Sequence, residues 1–203
     1  MDNIKLPIIH NSQKTGKELL FNLKGQTIST VLDFWKWAYS DLFDNTQRGI
    51  LAEYIVACAL DLQNTKRTNW DKYDLITKTG ITLEIKTSAY LQTWGQKKLS
   101  KLVFGIQPTY GWNKETNEYD TIKSRQADIY IFCIFKHKDP LTANPLNLNQ
   151  WAFYILNTKI LNQKVGNQKS ITINSLKALG AQYCCFEDLK FTVYNEYKKE
   201  TGL

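Results

Sequence analysis

The chain has 203 residues, and its 26 Lys and Arg residues outnumber its 19 Asp and Glu residues, which gives a formal net charge of +7. This length fits one domain, or one domain with an added arm, and a hydrophobic share of 43% argues against disorder over most of it. The longest apolar runs, 54–60 and 129–135, are much shorter than the ~18 residues of a membrane span. The sequence therefore predicts a soluble protein without a membrane partner.

The N-terminal residues contain no apolar segment of the kind that directs secretion, so we expect a cytoplasmic protein. The four cysteines lie within apolar runs or side by side, which favours buried thiols over a disulfide framework or a zinc site: Cys58, Cys133, Cys184 and Cys185. The net positive charge favours a polyanionic partner, because Lys and Arg that neutralise phosphates release counterions.

The first third of the chain divides into a polar arm and two helices. Residues 1–27 show no sustained period, so we interpret them as an arm or a loose hairpin, and residues 28–203 as one domain. Apolar residues at spacings of three and four predict a helix after a Ser/Thr cap near Ser29. A second helix is predicted from Thr46 to Leu62, with Glu53 as the only charge in its middle.

After the helices the apolar period changes to two, which indicates β-structure. Residues 73–77 and 81–90 alternate around the turn Lys78-Thr79-Gly80 and predict a β-hairpin. The run 129–135 is apolar on both alternations, so we expect a central strand that is covered on both faces. Further strands are predicted at 102–106, 151–156 and 170–173, a long loop at 107–125, a helical turn near 174–180 and a last helix at 187–199. This order predicts an α/β domain with a mixed sheet and helices on both faces.

The hairpin carries the residues with the clearest chemical meaning. Glu84 and Lys86 share one face of their strand, because side chains alternate along it. With the predicted turn, Asp74 lies opposite Glu84, and two opposed carboxylates repel each other unless a cation lies between them. A divalent ion with oxygen ligands meets this need. Lys86 could orient or deprotonate an attacking water, or stabilise charge on a phosphate, although a solvated surface ion pair also explains the Glu-x-Lys pattern.

Glu53 is a candidate third carboxylate. Gly49 and Ala57 lie one turn before and after it on the second helix, so the stripe that contains Glu53 has small neighbours. Small neighbours let the helix approach a sheet closely and bring Glu53 towards the hairpin. The alternative is a partly exposed glutamate that pairs with Arg48 or Lys66.

A helix with a glutamate, followed by a hairpin that carries Asp and then Glu-x-Lys, resembles the PD-(D/E)XK nuclease superfamily. The residues that carry the resemblance are Glu53, Asp74, Glu84 and Lys86, and Tyr73 stands where the nominal motif has proline. The resemblance covers about 46–156 and implies a restriction-endonuclease-like fold, a mixed β-sheet flanked by helices on both faces.

The resemblance also implies roles for these residues. It implies Mg²⁺-dependent hydrolysis of phosphodiester bonds, with Mn²⁺ as a possible substitute, and a metal held by Asp74, Glu84 and the carbonyl of Ile85. Lys86 would be the catalytic lysine, and Glu53 would bind a metal-bound water or a second metal. Asp71 is an alternative to Asp74, but it precedes the strand, whereas Asp74 lies between apolar residues and opposes Glu84.

Basic residues near the motif suggest contacts with nucleic acid. Lys97, Lys98 and Lys101 follow the hairpin, with Trp94 among them, a mixture that suits phosphate contact and base stacking. Arg125, just before the central strand, could face the same cleft. A solvated loop and a surface charge cluster explain these residues equally well.

Together these features predict a Mg²⁺-dependent deoxyribonuclease, an endonuclease of the restriction or defence type whose partner is DNA. The alternatives are a structure-selective DNA repair nuclease and a non-catalytic nucleic-acid-binding domain with the same fold. Double-strand cleavage at a symmetric site would require a homodimer.

Overall fold

A computed structural model describes residues 9, 12–67, 72–113 and 116–201. Two compact units divide the chain, Met1–Asp41 and Leu42–Leu203. Within the described ranges, no helix is long and apolar enough to cross a membrane.

The first unit contains a short hairpin and one helix. Strands β1 (Leu19–Phe21) and β2 (Thr27–Thr30) pair antiparallel, and helix α1 (Val31–Tyr39) follows directly. Thr30 caps α1, since its Oγ1 accepts the N–H of Asp33 and the Asp33 carboxylate accepts the N–H of Thr30. The predicted cap and helix are therefore confirmed. The boundary of the arm at residue 27 stays a prediction.

The second unit begins with helix α2 (Asn45–Ala59). Asp44 caps it by accepting the N–H groups of Thr46 and Gln47. The helix ends three residues earlier than predicted, because the chain turns at Asp61, whose φ is +57°.

Twelve further strands and α-helices follow α2 in the part of the chain that the structure describes. In chain order they are β3 (Leu75–Ile76), β4 (Thr82–Ala89), β5 (Val103–Gly105), β6 (Trp112–Asn113), β7 (Glu118–Tyr119), β8 (Ile129–Phe135), β9 (Trp151–Asn157) after a 3₁₀ turn at Leu148–Gln150, α3 (Thr158–Val165), β10 (Ser170–Thr172), α4 (Ile173–Ala178), β11 (Gln182–Cys184) and α5 (Leu189–Thr201). The predicted loop at 107–125 thus contains a small hairpin, β6–β7.

The main sheet has five strands in the order β11-β9-β8-β4-β3. Strands β4 and β8 run parallel, and the other neighbours run antiparallel, so the sheet is mixed. Strand β8 is central, and all seven of its residues are buried. The predicted α/β class, with a mixed sheet and flanking helices, is confirmed.

The hairpin β3–β4 has the predicted register. Leu75 pairs with Leu83 and Ile76 pairs with Thr82. Gly80 closes the turn with a φ of +88°, a conformation that glycine adopts without steric cost. The start of the parallel pair β4–β8 is fixed by Asp128, whose carboxylate accepts both the N–H and the Oγ1–H of Thr82.

Two hydrophobic cores lie on the two faces of the sheet, because β8 is apolar on both alternations. On one face, Ile129, Ile131, Cys133 and Phe135 pack with residues of α2 and α5. On the other face, Tyr130, Phe132 and Ile134 form a core with residues of β5, β10, α3 and α4. All four cysteines are free thiols; Cys133 and Cys184 are buried as expected, whereas Cys58 and Cys185 are only partly buried.

The second core predicts a large cost for truncating Phe132. This side chain is fully buried and packs edge-on against Phe104, with ring centroids 5.1 Å apart. Phe132→Ala leaves a cavity and should lower the free energy of unfolding by about 3–5 kcal/mol, measured by urea denaturation. Phe191 of α5 is 70% exposed, so Phe191→Ala should change it by less than about 0.5 kcal/mol. Equal effects would contradict the assignment of this core.

Candidate active site

The candidate site begins where β3 starts. The N–H of Asp74 donates to the carbonyl of Leu83 at 2.9 Å, and its Oδ2 accepts the N–H of Ile85 at 2.7 Å. The side chain of Asp74 thus continues the pairing with β4 beyond the last ladder pair, Leu75–Leu83. This arrangement fixes the carboxylate beside the backbone of Ile85.

Glu84 and Lys86 lie on one face of β4, as the alternation predicts. Their partners across the parallel pair are Tyr130 and Phe132 of β8. The Nζ of Lys86 donates to Oε1 of Glu84 at 2.5 Å, and both side chains keep part of their surface exposed. The lysine therefore neutralises one carboxylate while remaining accessible from the solvent.

The electrostatics of Asp74 show that the carboxylates are close. Burial, the charge of Glu84 and, to a smaller extent, the charge of Glu53 together raise the pKa of Asp74 to about 7, against the opposing effects of the N–H of Ile85 and the ammonium of Lys86. Without a cation, this carboxyl group is thus largely protonated below neutral pH.

Glu53 lies on α2 near Asp74, but its carboxylate is paired with an arginine. A Cβ at Gly49 would lie 3.9 Å from Cγ2 of Thr87, so the helix approaches β4 closely here, as expected. Both carboxylate oxygens of Glu53 bind the guanidinium of Arg67, at 2.5 and 2.9 Å. The expected alternative partners were Arg48 and Lys66, and the structure pairs Glu53 instead with Arg67, the residue directly after Lys66.

An open cleft of about 460 Å³ joins these residues. Asp74, Glu84 and Lys86, three of the four residues that carry the motif, line it. The other lining residues come from the start of the hairpin, from β5 and the segment after it, and from the approaches to β8 and β10: Lys72, Tyr73, Gly105, Gln107, Thr109, Gln126, Tyr130 and Lys169. Glu53 does not line the cleft.

No sequence pattern identifies several of these lining residues as part of the site. Lys72 binds Asp120 with its Nζ, at 3.0 and 3.2 Å from the two carboxylate oxygens, and Lys169 lies nearly one hundred positions further along the chain. Only the pairing of β5 with β10 brings Lys169 to the cleft. The net charge of the sequence indicated basic residues that contact a polyanion, but it could not assign Lys72 and Lys169 to the cleft.

The donor set of the cleft fits a hard divalent cation. Within the described ranges, no group of three or more His, Cys, Asp or Glu side chains is arranged to hold a metal ion. Asp74 and Glu84 supply two carboxylates, however, and the backbone of Ile85 lies beside them. Mg²⁺ is commonly bound through one or two carboxylates, with water and substrate phosphate as its other ligands.

The predicted basic residues occupy two different environments. Lys97, Lys98 and Lys101 line a separate shallow groove together with Trp94, which is 57% exposed. The amide of Gln96 organises this loop, because it accepts the N–H of Gln92 and donates to the carbonyl of Tyr90 and to Ser100 Oγ. The three lysines therefore present their charges beside an exposed indole, outside the cleft.

Arg125 differs from its predicted role. It is 7% exposed, and its guanidinium donates to the carbonyls of Ile106 and Gly166 and to Oδ1 of Asn162. These bonds connect the segments on either side of it, so the structure gives Arg125 a structural role instead of an exposed contact for nucleic acid. The neighbours of Arg125 in the sequence suggested a position on the surface, whereas the structure buries the residue. Asp71, the alternative to Asp74, lies outside the described residues.

Adjacent carboxylates and a lysine in an open cleft with further lysines are an arrangement that suits the binding of a phosphodiester. A comparison with known protein families agrees with this interpretation. The family model for bacteriophage T4 endonuclease IV matches residues 9–175, so the chain belongs to this family. The chain is accordingly a DNA-cleaving hydrolase with DNA as its substrate. No match was found among curated proteins or among solved structures.

The raised pKa of Asp74 predicts a pH-dependent gain from Asp74→Asn. The ordinary pKa is 3.8, so ionisation of Asp74 lowers stability increasingly as the pH rises from about 4 to 7, and the full loss is present above pH 7. Asparagine keeps an oxygen for the N–H of Ile85 without the charge. With EDTA present, Asp74→Asn should raise Tm by at least about 4 °C at pH 8, because a pKa raised from 3.8 to about 7 corresponds to roughly 4 kcal/mol and 1 kcal/mol to ~2–4 °C at this size; the gain should be smaller at pH 5.

The measurement is thermal unfolding by circular dichroism at both pH values. Asp139 is the matched control, because it is exposed and the N–H of Leu141 lowers its pKa. Asp139→Asn should give no gain at either pH. Equal gains for Asp74→Asn at pH 5 and pH 8 would contradict the raised pKa.

Proposed function

We propose that the chain is a metal-dependent DNA endonuclease of the PD-(D/E)XK type. One observation carries the proposal: Asp74, Glu84 and Lys86, which the motif predicts, line one cleft beside the backbone of Ile85. The family match supports DNA cleavage independently of the motif.

In this proposal, Asp74, Glu84 and the carbonyl of Ile85 hold Mg²⁺, for which Mn²⁺ can substitute. The support is the repulsion between the two carboxylates, which a divalent cation relieves. Bound in this position, Mg²⁺ supplies a Lewis acid for the phosphate and lowers the pKa of a coordinated water.

Lys86 acts on the water or on the phosphate. Its Nζ is held by Glu84 and remains accessible from the cleft, so it can orient the attacking water and offset the negative charge that grows on the phosphate oxygens. The water oxygen forms a new bond to phosphorus while the opposite P–O bond of the DNA strand breaks. The water loses a proton, and the leaving oxygen gains one.

Glu53 has a supporting role. It lies close enough to Asp74 to raise its pKa, and its carboxylate is bound by Arg67 in this structure. We propose that Glu53 hydrogen-bonds a water beside the metal when Arg67 releases it. The exchange keeps a positive group beside Glu53, because a divalent cation held by Asp74 and Glu84 would take the place of the guanidinium.

Lys86→Ala is the direct test of the mechanism. Lys78 lies in the turn of the same hairpin, is exposed and does not line the cleft, so Lys78→Ala is the matched control. We expect cleavage of supercoiled plasmid and of single-stranded circular DNA to require Mg²⁺, to stop with EDTA and to fall at least about 100-fold in Lys86→Ala. Lys78→Ala should cut at the wild-type rate.

Other outcomes would point to other functions. Wild-type cleavage by Lys86→Ala, or undiminished cleavage in EDTA, would refute the proposed site while leaving the family assignment intact. DNA binding without cleavage by any variant would favour a non-catalytic binding domain.

The groove of Trp94, Lys97, Lys98 and Lys101 is proposed to bind DNA phosphates outside the cleft. Replacing the three lysines by glutamine should weaken DNA binding and reduce the slope of log K against log salt by about 2–3, because each phosphate contact contributes ~0.7–0.9. The measurement is fluorescence anisotropy with a labelled oligonucleotide. Replacing three exposed lysines elsewhere should leave the slope nearly unchanged: Lys136, Lys164 and Lys177. Equal losses for both triple variants would indicate only a general effect of net charge.

The restriction or defence role and the homodimer stay predictions. A restriction role predicts discrete fragments from unmodified DNA and protection by base methylation. A homodimer predicts twice the mass of the chain in sedimentation equilibrium.

A further inference from the structure

The cleft has a second side, formed by the ribbon β5–β10 and the residues that adjoin it. Gly105, Gln107 and Thr109, in and after β5, line the cleft with Lys169, which precedes β10. The ribbon is antiparallel, and the N–H of Ile106 donates to the carbonyl of Lys169 at 2.9 Å. Gly105 pairs with Ser170, and Lys169 lies one residue before Ser170, so both residues are at the same end of the ribbon.

The ribbon is fixed against the main sheet. The ring of Phe104 packs against Phe132 of β8, and the N–H of Val103 donates to Oγ of Ser88 on β4 at 3.3 Å. Since β4 also carries Glu84 and Lys86, the ribbon keeps a defined position relative to the candidate catalytic residues.

Gly105 is open on its cleft side. Phe104 and Ile106 on either side of it are buried, so the alternation of the strand turns the substituent position of Gly105 away from the core. Among the described residues, no heavy atom lies within 4 Å of a Cβ placed there, and the φ of Gly105 is not in the positive region. The protein therefore does not need glycine here for packing or for a turn. The absence of a side chain leaves the backbone open to a ligand in the cleft.

Lys169 is the cleft lysine whose charge is not engaged. Lys72 is paired with Asp120, and Lys86 is paired with Glu84. Lys169 is exposed and forms no ion pair within the described ranges. Its positive charge is available for an anion that enters the cleft.

We propose that the β5–β10 side of the cleft positions the DNA strand that is cut: Gly105 lets the sugar-phosphate backbone approach closely, and Lys169 neutralises one of its phosphates. The inference rests on the proposed function only in that the strand is cut in this cleft. Gly105 and Lys169 are positioning residues, and they act on the binding of the strand and not on the chemical step.

Two variants test this proposal. Gly105→Leu places a bulky side chain where the strand would lie, and Lys169→Gln removes the charge and keeps most of the side-chain length. Lys164→Gln is the matched charge control, because Lys164 is exposed on α3 and does not line the cleft. Val103→Leu is the matched steric control, since Val103 lies two residues earlier on the same exposed side of β5.

Binding is measured by anisotropy in EDTA with labelled single-stranded and duplex oligonucleotides over a range of salt concentrations, and cleavage is measured separately under single-turnover conditions. We expect Gly105→Leu to weaken binding at least about 10-fold, with wild-type thermal unfolding, and Lys169→Gln to lower the salt slope by about 1. For Lys169→Gln, the cleavage rate at saturating enzyme should stay near that of the wild type. Both controls should match the wild type.

The outcomes separate this inference from the proposed catalytic site. If Gly105→Leu and Lys169→Gln bind DNA as the wild type does, the inference is wrong, whatever Lys86→Ala shows. If these two variants lose binding while Lys86→Ala still cuts, the positioning role stands and the proposed catalytic residues are wrong. Gly105→Ala should fold as the wild type does, because its methyl group meets open space in the free protein, and it should weaken binding by less than Gly105→Leu does. If unfolding shows that Gly105→Leu is misfolded, Lys169→Gln and its salt slope decide the question.

Discussion

The repulsion between two carboxylates in a partly buried cleft is the constraint on which the candidate site depends. Asp74 and Glu84 come together because the hairpin β3–β4 pairs in one register, with Leu75 opposite Leu83. The structure offsets the cost by a hydrogen bond from Ile85 to Asp74 and an ion pair from Lys86 to Glu84. What remains is a carboxyl group with a pKa near 7, and such perturbed groups are typical of functional sites.

The sheet keeps this unfavourable arrangement in place. Strand β8 is buried along its whole length and pairs with β4 over seven residues, from Leu83–Ile129 to Ala89–Phe135. Apolar cores on both faces hold these two strands, so the energy that stabilises the fold comes from residues other than the site. The charged face of β4 borders the open cleft, and residues of the ribbon β5–β10 line the same cleft. The stable sheet thus tolerates the unfavourable repulsion between Asp74 and Glu84.

Local sequence patterns predicted most of the helices and strands. The same patterns predicted that Asp74, Glu84 and Lys86 lie together. Alternation placed Glu84 and Lys86 on one face, and turn length placed Asp74 near Glu84. Patterns of this kind fail where the partner is distant in sequence. The burial of Arg125 among Ile106, Asn162 and Gly166 depends on packing between elements. Charge alone likewise could not show that the lysines near 97–101 line a groove of their own.

The sequence by itself determined the class of fold, the central strand, the register of the hairpin and the grouping of Asp74, Glu84 and Lys86, because these follow from short-range periodicity and turn geometry. Only the tertiary structure decided which residues complete the cleft. Lys169 and Gly105 meet there through the antiparallel pairing of β5 with β10, across more than sixty positions of chain. No local period records such a pairing, since its free energy comes from burying Phe104 and Ile171 in a core that forms only when the whole sheet is assembled.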